Sequence, residues 1–139
     1  MNTEIFNEIN WIAVSVAAVA YFALGAIWYS FLFGKQWIKY SEVDVNAPDA
    51  KKGAALTMFR SFVMMFICSL GIAVLAGKMD LAQPISGLKL GALTGICFSA
   101  TAIHISYLYE KRPVGLHLIN AGYNILGNIL AGVIICAMQ

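Results

Sequence analysis

The sequence predicts an all-α fold, a bundle of four transmembrane helices that forms a single integral membrane domain over residues 1–139. Hydrophobic residues make up 60% of the chain and charged residues only 12%, whereas a soluble domain carries about 25% charged residues. The charged residues also leave four long uncharged gaps, and a helix needs about 20 mostly apolar residues to cross the bilayer core. The gaps predict helices near 10–33, 57–77, 86–109 and 115–137.

The first helix is predicted from the 26 uncharged residues between Glu8 and Lys35. A cleaved signal peptide is the alternative for this segment. We reject it because its leader would need basic residues and carries Glu4 and Glu8 instead, and because the apolar stretch is too long. Aromatic residues of the kind that collect at a membrane–water boundary end this helix. They are Trp28, Tyr29, Phe31, Phe33, Trp37 and Tyr40.

The second helix is predicted from a shorter gap, the 17 residues between Arg60 and Lys78. It reaches spanning length if Arg60 lies one turn inside the helix, because residues 53–59 are also uncharged. Pro48 fits the first turn of a helix, and Asp49 follows at its positive end. The sequence therefore predicts that this helix begins near Pro48, outside the membrane, and continues into it.

The third helix is predicted to begin at Pro84 and carries a ridge of small residues at every fourth position. The ridge consists of Gly87, Gly91, Gly95 and Ser99. Such a ridge lets another helix backbone approach closely. A second stripe is expected roughly opposite, formed by Thr94, Cys97, Thr101 and His104. We expect one face to pack inside the bundle and the other against a second protomer, which predicts a homo-oligomer.

The fourth helix carries polar side chains in an otherwise apolar run. His117, Asn120, Asn124 and Asn128 recur at spacings of three, four and four residues, which places them within one sector of about 80° on a helix. Buried amides need partners in hydrocarbon, so the stripe is expected to face protein or water. The tight turn at 110–113 predicts that the third and fourth helices form an antiparallel hairpin.

The hairpin is expected to bring polar side chains of these two helices together. They are Thr101, His104, Asn120, Tyr123 and Asn124, with Asn128 deeper in the membrane. One interpretation is a pocket or narrow path for a small molecule or an ion. The alternative is that the amides only hold the helices together, with about 0.6–2 kcal/mol per hydrogen bond. Both interpretations stay open at this point.

The basic residues predict the orientation of the chain. Seven of the nine Lys and Arg residues lie in or beside the first–second and third–fourth loops, namely Lys35, Lys39, Lys51, Lys52, Arg60, Lys111 and Arg112. Cytoplasmic loops attract Lys and Arg, so both termini are expected to lie outside. The position of these basic residues in the predicted cytoplasmic loops explains the net charge of +2, so no nucleic-acid partner is predicted. The chain is expected to be surrounded by the lipid bilayer.

Motifs of membrane enzymes are missing from the sequence. There is no His-Glu-x-x-His and no glycine-rich phosphate loop, so neither an enzyme nor a cofactor is predicted. No metal site is predicted, because His104 and His117 are thirteen residues apart and no carboxylate or cysteine joins them at ligand spacing. Arg60 and Glu110 are expected near the cytoplasmic boundary, either as an ion pair or with each side chain reaching water separately.

Four short motifs are spaced along nearly the whole chain. They are Asn10-Trp11, Gly25-x-x-Trp28-Tyr29-x-x-x-Phe33-Gly34-x-x-Trp37, Tyr109-Glu110-x-Arg112-Pro113 and Ile119-Asn120-x-x-Tyr123. Together they resemble a small bacterial family catalogued as domain of unknown function 1761. The resemblance implies a multi-pass protein of the bacterial cytoplasmic (inner) membrane and implies no activity. It also implies a cluster at the cytoplasmic face, made of Trp28, Tyr29, Trp37, Glu110 and Arg112, and we expect Arg60 and His117 beside it.

Two classes of function follow from these observations. The first is a small-solute or ion transporter, or a channel-like homo-oligomer, that uses the polar stripe on the third and fourth helices. The alternative is a non-catalytic membrane interaction or scaffold protein, in which the same stripe only packs helices together. A water-filled or ligand-filled space beside the amides would favour the first class, and direct bonds to neighbouring helices would favour the second.

Overall fold

A computed structural model describes residues 3–139, which form six helices. They are α1 (Ile5–Glu8), α2 (Trp11–Leu32), α3 (Gly34–Ser41), α4 (Ala54–Lys78), α5 (Pro84–Tyr109) and α6 (Val114–Ala137). Of these, α2, α4, α5 and α6 are long and apolar enough to cross a membrane. The predicted all-α fold with four spanning helices is confirmed, and each predicted span agrees with its helix to within three residues.

The last spanning helix, α6, lies at the centre of the bundle, and α2, α4 and α5 all pack against it. The outer helices expose large apolar side chains on their other sides, among them Ile12, Phe31 and Phe98. A soluble protein rarely exposes a continuous apolar surface of this kind, whereas lipid tails cover it without loss. The burial pattern therefore agrees with four membrane spans arranged around α6.

The glycine ridge of α5 packs against α6 within the same chain. A Cβ atom on Gly91 would overlap the carbonyl group of Asn128 and the Cα of Ile129, and a Cβ on Gly87 would overlap the carbonyl of Gly132. The two backbones are therefore as close as helices can come. This contact replaces side-chain packing along the half of the hairpin that is farther from its turn.

The second stripe predicted on α5 does not form one face. Thr94 is buried beside the glycine ridge and its hydroxyl donates to Asn128 Oδ1 at 3.1 Å. Cys97 and Thr101 are exposed on the other side of the helix. The prediction misplaced Thr94 because a step of three residues turns a helix by about 300°, which returns it close to Gly91.

The start of α2 and the end of α6 lie at the same end of the bundle. Asn10 Nδ2 donates to the carbonyl oxygen of Met138 at 2.8 Å, and this contact ties the start of α2 to the end of α6. An even number of spans requires this arrangement. The side of the membrane on which the ends lie stays a prediction from the distribution of Lys and Arg.

The start of the second spanning helix differs from the prediction. Residues 48–53 form turns, and α4 begins at Ala54. Gly53 has φ +73°, a left-handed conformation that separates the preceding turns from the helix. Two spanning helices also contain π-helical turns, at Trp28–Leu32 in α2 and Gly95–Ala100 in α5. Such turns are frequent at functional sites, and both lie beside the polar residues of α6.

Candidate functional site

Three amides of α6 form a continuous ladder along one side of the helix. We call Asn120, Asn124 and Asn128 the asparagine ladder. Asn124 Nδ2 donates to the carbonyl oxygen of Asn120 at 2.9 Å, and Asn128 Nδ2 donates to that of Asn124 at 2.7 Å. These two bonds within the helix fix the amide planes of Asn124 and Asn128, so their Oδ1 atoms point toward neighbouring helices.

At the end of the ladder nearest the start of α6, Asn120 joins three helices. Its Oδ1 accepts from the hydroxyl of Tyr29 on α2 at 2.6 Å, and its Nδ2 donates to the hydroxyl oxygen of Tyr107 on α5 at 2.7 Å. Both bonds are short for their type. Tyr107 therefore takes the place that the sequence suggested for His104, because a long side chain on a helix tilts toward the N-terminus and here reaches one turn deeper.

The two deeper rungs are also bonded to other helices. Asn124 Oδ1 accepts from the hydroxyl of Tyr21 at 2.9 Å. Asn128 is only 2% exposed, and its Oδ1 accepts from Thr94 and lies 3.6 Å from the Cys68 sulfur. All three amides thus have partners on neighbouring helices, as buried polar groups require.

Sequence reasoning missed Tyr21, and it placed Tyr29 in the cytoplasmic-face cluster without assigning it a bond to the ladder. Tyr21 and Tyr29 lie four residues on either side of Gly25, so all three share one helix face. A Cβ on Gly25 would lie 2.9 Å from the Tyr123 hydroxyl, so the glycine makes room for that ring. The Tyr-x-x-x-Gly-x-x-x-Tyr spacing matches the four-residue spacing of the ladder and was the signal that could have identified them.

An open cleft of about 740 Å³ lies at the Asn120 end of the ladder, between α3, α5 and α6. We call it the tyrosine cleft. Its lining consists of Tyr29, Trp37, Ile38, Val45, Ile103, Tyr107, Asn120, Tyr123 and Asn124. None of these side chains carries a charge at neutral pH. The cleft therefore combines phenol and amide groups with apolar walls.

Further recesses follow the ladder toward the opposite end of the bundle. A recess of about 380 Å³ shares Tyr123 and Asn124 with the tyrosine cleft. It shares Cys68 and Ser99 with a third recess of about 570 Å³ between α4 and α5, which reaches Asn128 and extends to Phe6. Each space therefore shares lining residues with the next one along the ladder, and the last is mostly apolar.

The two histidines form a pair that the sequence did not predict. His117 is 3% exposed, and its Nδ1 lies 2.7 Å from Nδ1 of His104, while its Nε2 lies 3.1 Å from the carbonyl oxygen of Arg112. His104 therefore lies beside His117 and not beside Asn120. In residues 3–139, no group of three or more His, Cys, Asp or Glu side chains is placed to hold a metal ion.

Two other predicted members lie outside the site. Thr101 is exposed and donates to the carbonyl of Cys97 in its own helix at 2.8 Å, so it does not join the ladder. Arg60 is exposed and forms no ion pair within the described part of the chain. Glu110 pairs instead with Arg112, at 3.1 Å, because the two belong to one turn and meet with little ordering of the chain.

The predicted aromatic members of the cytoplasmic-face cluster do meet at one end of the bundle. Trp28 Nε1 donates to the carbonyl oxygen of Ile119 at 3.0 Å and so joins α2 to α6. The ring of Trp37 packs edge-on against Tyr29, with centroids 5.9 Å apart. Tyr29 and Trp37 thus form one wall of the tyrosine cleft, whereas Trp28 packs against Phe33.

Comparison with known proteins gives one match. Neither the curated proteins nor the solved structures contain a match to the chain. The model of a family described as "Protein of unknown function (DUF1761)" matches residues 12–136. These residues include nearly all of the four spanning helices. The chain therefore belongs to the DUF1761 family, whose function is unknown, and its four apolar helices are those of a multi-pass membrane protein.

Proposed function

We propose that this multi-pass membrane protein moves a small uncharged solute along the asparagine ladder, as a transporter or a channel-like protein. The observation that supports the proposal is the series of adjoining recesses, which share lining residues and follow the ladder from Trp37 at one end to Phe6 at the other. Packing of helices alone needs no such spaces. In this proposal both termini face outward and the membrane is the bacterial cytoplasmic membrane.

The chemistry of the tyrosine cleft favours a neutral solute. An ion that leaves water for the cleft would find no counter-charge among the lining side chains, and the loss of its hydration is large. A neutral molecule with hydroxyl or amide groups can replace the Tyr29–Asn120 bond with bonds of its own. The free energies of the protein with the Tyr29–Asn120 bond and of the protein bonded to the solute then differ little, because a typical hydrogen bond contributes only about 0.5–1.5 kcal/mol net.

A second copy of the chain completes this proposal. Four helices enclose little volume, and the recess between α4 and α5 is open on the side that faces the bilayer. A homo-oligomer in which a second copy covers the exposed face of α5, where Cys97 and Thr101 lie, would separate the moving solute from lipid tails.

The alternative function is a scaffold or interaction protein, and one specific observation favours it. Every amide of the ladder is hydrogen-bonded directly to a side chain of another helix. In a scaffold these bonds only fix the helices, and the recesses are filled by lipid tails. The two functions differ in whether solute crosses the membrane through the protein.

Flux measurements distinguish the two functions. The protein is reconstituted in liposomes, and the entry of glycerol and urea is followed by stopped-flow light scattering. We expect faster entry than in empty liposomes, and we expect Asn124→Leu to reduce the added rate about tenfold, because a lost interaction of roughly 1.4 kcal/mol changes a rate by that factor.

Ser15→Ala is the matched control, since it also removes a polar group from a spanning helix but at an exposed position of α2 that bonds only to the backbone of its own helix. It is expected to leave the flux unchanged. The scaffold function would be supported instead if solute entered liposomes with and without the protein at equal rates and Asn124→Leu lowered the stability of the protein.

Accessibility of the tyrosine cleft to water can be measured separately. Ile103 lines the cleft, whereas Leu93, near the middle of α5, is 54% exposed and lies outside the cleft. In a background with the three native cysteines replaced by alanine, we expect Ile103→Cys to react with a membrane-impermeant maleimide and Leu93→Cys, surrounded by lipid, to remain unlabelled. Labelling of neither cysteine would mean that water does not enter the cleft.

A further inference from the structure

The His104–His117 contact determines which ring nitrogens carry hydrogen. A carbonyl oxygen can only accept a hydrogen bond, so His117 Nε2, which lies 3.1 Å from the Arg112 carbonyl, must be the N–H group. In a neutral imidazole the other nitrogen then has a lone pair and no hydrogen. His117 Nδ1 is therefore an acceptor.

The same reasoning determines the state of His104. Its Nδ1 lies 2.7 Å from the accepting Nδ1 of His117, so His104 Nδ1 must be the donor. In the neutral ring this leaves Nε2 of His104 without hydrogen. No partner of this nitrogen is found among residues 3–139, and His104 is exposed as a residue. The pair thus has one free acceptor.

We infer that His104 and His117 form a site that binds one proton per chain, at Nε2 of His104. A proton on that nitrogen leaves the hydrogen bond between the rings in place and makes its donor cationic, and charge-assisted hydrogen bonds are stronger than neutral ones. A second proton would have to enter at Nδ1 of His117, where it would face the N–H of His104. The geometry therefore accepts one proton and opposes the next.

The position of the pair gives the proton a route to water. His104 lies five residues before the end of α5, about 7.5 Å along the axis. α5 has 26 residues and is about 39 Å long, which exceeds the hydrocarbon core of about 30 Å. The ring of His104 therefore lies near the edge of the core and not in its centre.

The titratable and charged groups around the pair come from four elements. On α5, the Tyr107 ring lies 5.3 Å from that of His117. On α3, Tyr40 packs against Gly115, and on α2, Tyr29 reaches Asn120. In the turn, Lys111 is exposed and the charge of Arg112 is paired with Glu110. The ring of Tyr107 is tilted by 62° to that of His117.

The proton site adjoins the tyrosine cleft through Tyr107. The ring of this residue contacts His117, its hydroxyl accepts from Asn120, and it lines the cleft. Uptake of a proton by the pair therefore changes the charge beside the cleft. The inference itself depends only on the two rings and holds whether or not a solute moves along the ladder.

Nitrogen NMR on histidine-labelled protein in lipid nanodiscs tests the inference, and the spectrum is simple because the chain has two histidines. At high pH we expect two different tautomers, one ring with a bare Nδ1 and the other with a bare Nε2. As the pH is lowered, the bare Nε2 should gain a proton first while the bare Nδ1 persists.

The variant His104→Gln assigns the signals, because its amide can still donate to His117 Nδ1. The remaining ring, that of His117, should show a bare Nδ1. The proton uptake that the wild-type protein shows at Nε2 of His104 should be lost. If the variant does not fold, the wild-type spectra suffice. Two rings in the same tautomer at high pH, or two rings that gain protons together in one step, would overturn the inference.

Discussion

Replacing Gly91 with alanine is expected to destabilise the bundle strongly. The added Cβ would overlap the backbone of Asn128 and Ile129, and a helix backbone cannot move aside as a flexible side chain can. Overpacking of this kind typically lowers the free energy of unfolding by about 1–3 kcal/mol, and occasionally by more. We expect Gly91→Ala to unfold at clearly lower mole fractions of SDS in mixed micelles, followed by circular dichroism.

Gly71→Ala provides the matched control. Gly71 also lies inside a spanning helix, α4, but a Cβ at this position would have no atom within 4 Å. The control should leave the free energy of unfolding unchanged or raise it by up to about 1 kcal/mol, because alanine favours a helix over glycine. If both variants unfold at the same SDS fraction, the close approach of α5 and α6 does not stabilise the fold.

The second large effect is expected for Asn128→Ala. This amide is 2% exposed and bonds to Thr94 on α5 and to the backbone of Asn124. Its removal takes one hydrogen-bond partner from the Thr94 hydroxyl and one from the carbonyl of Asn124. We expect this to lower the free energy of unfolding by about 1–3 kcal/mol. A double-mutant cycle with Thr94→Val, measured by the same SDS unfolding, should give a coupling energy of about 0.6–1.7 kcal/mol.

A cycle of Asn128→Ala with Thr101→Val serves as the control. The Thr101 hydroxyl bonds only to carbonyl oxygens of its own helix, so the two substitutions should be additive within about 0.5 kcal/mol. Equal coupling energies in the two cycles would mean that the Thr94–Asn128 bond contributes nothing specific to the contact between α5 and α6.

The spans could be predicted closely because membrane thickness constrains them directly. A segment such as 115–137 must be apolar over a fixed length, and charged residues such as Arg112 are confined to its ends. The start of α4 could not be predicted from Pro48, because the conformation of Gly53 depends on how the loop packs. The π-helical turns have no signal in the periodicity, since each adds one residue to a turn without interrupting the apolar run.

The candidate site was predictable in part. The four-residue spacing of Asn120, Asn124 and Asn128 was sufficient to place the ladder on one face of α6. Its partners depend on which helix lies opposite, and that is set by long-range packing. Thr101 was therefore expected beside the asparagine ladder but is exposed. Tyr21, which bonds to Asn124, was not identified.

The central position of α6 has a consequence for biosynthesis. α6 is the last of the four spanning helices in chain order, and membrane helices insert as the chain emerges, N-terminal segments first. Until α6 enters the bilayer, the hydroxyl groups of Tyr21 and Tyr29 lack the acceptors that the finished protein provides, and Gly87 and Gly91 face lipid. Assembly of the bundle is therefore delayed until the final helix has been inserted, and a ribosome that stops before α6 leaves three helices without a common core.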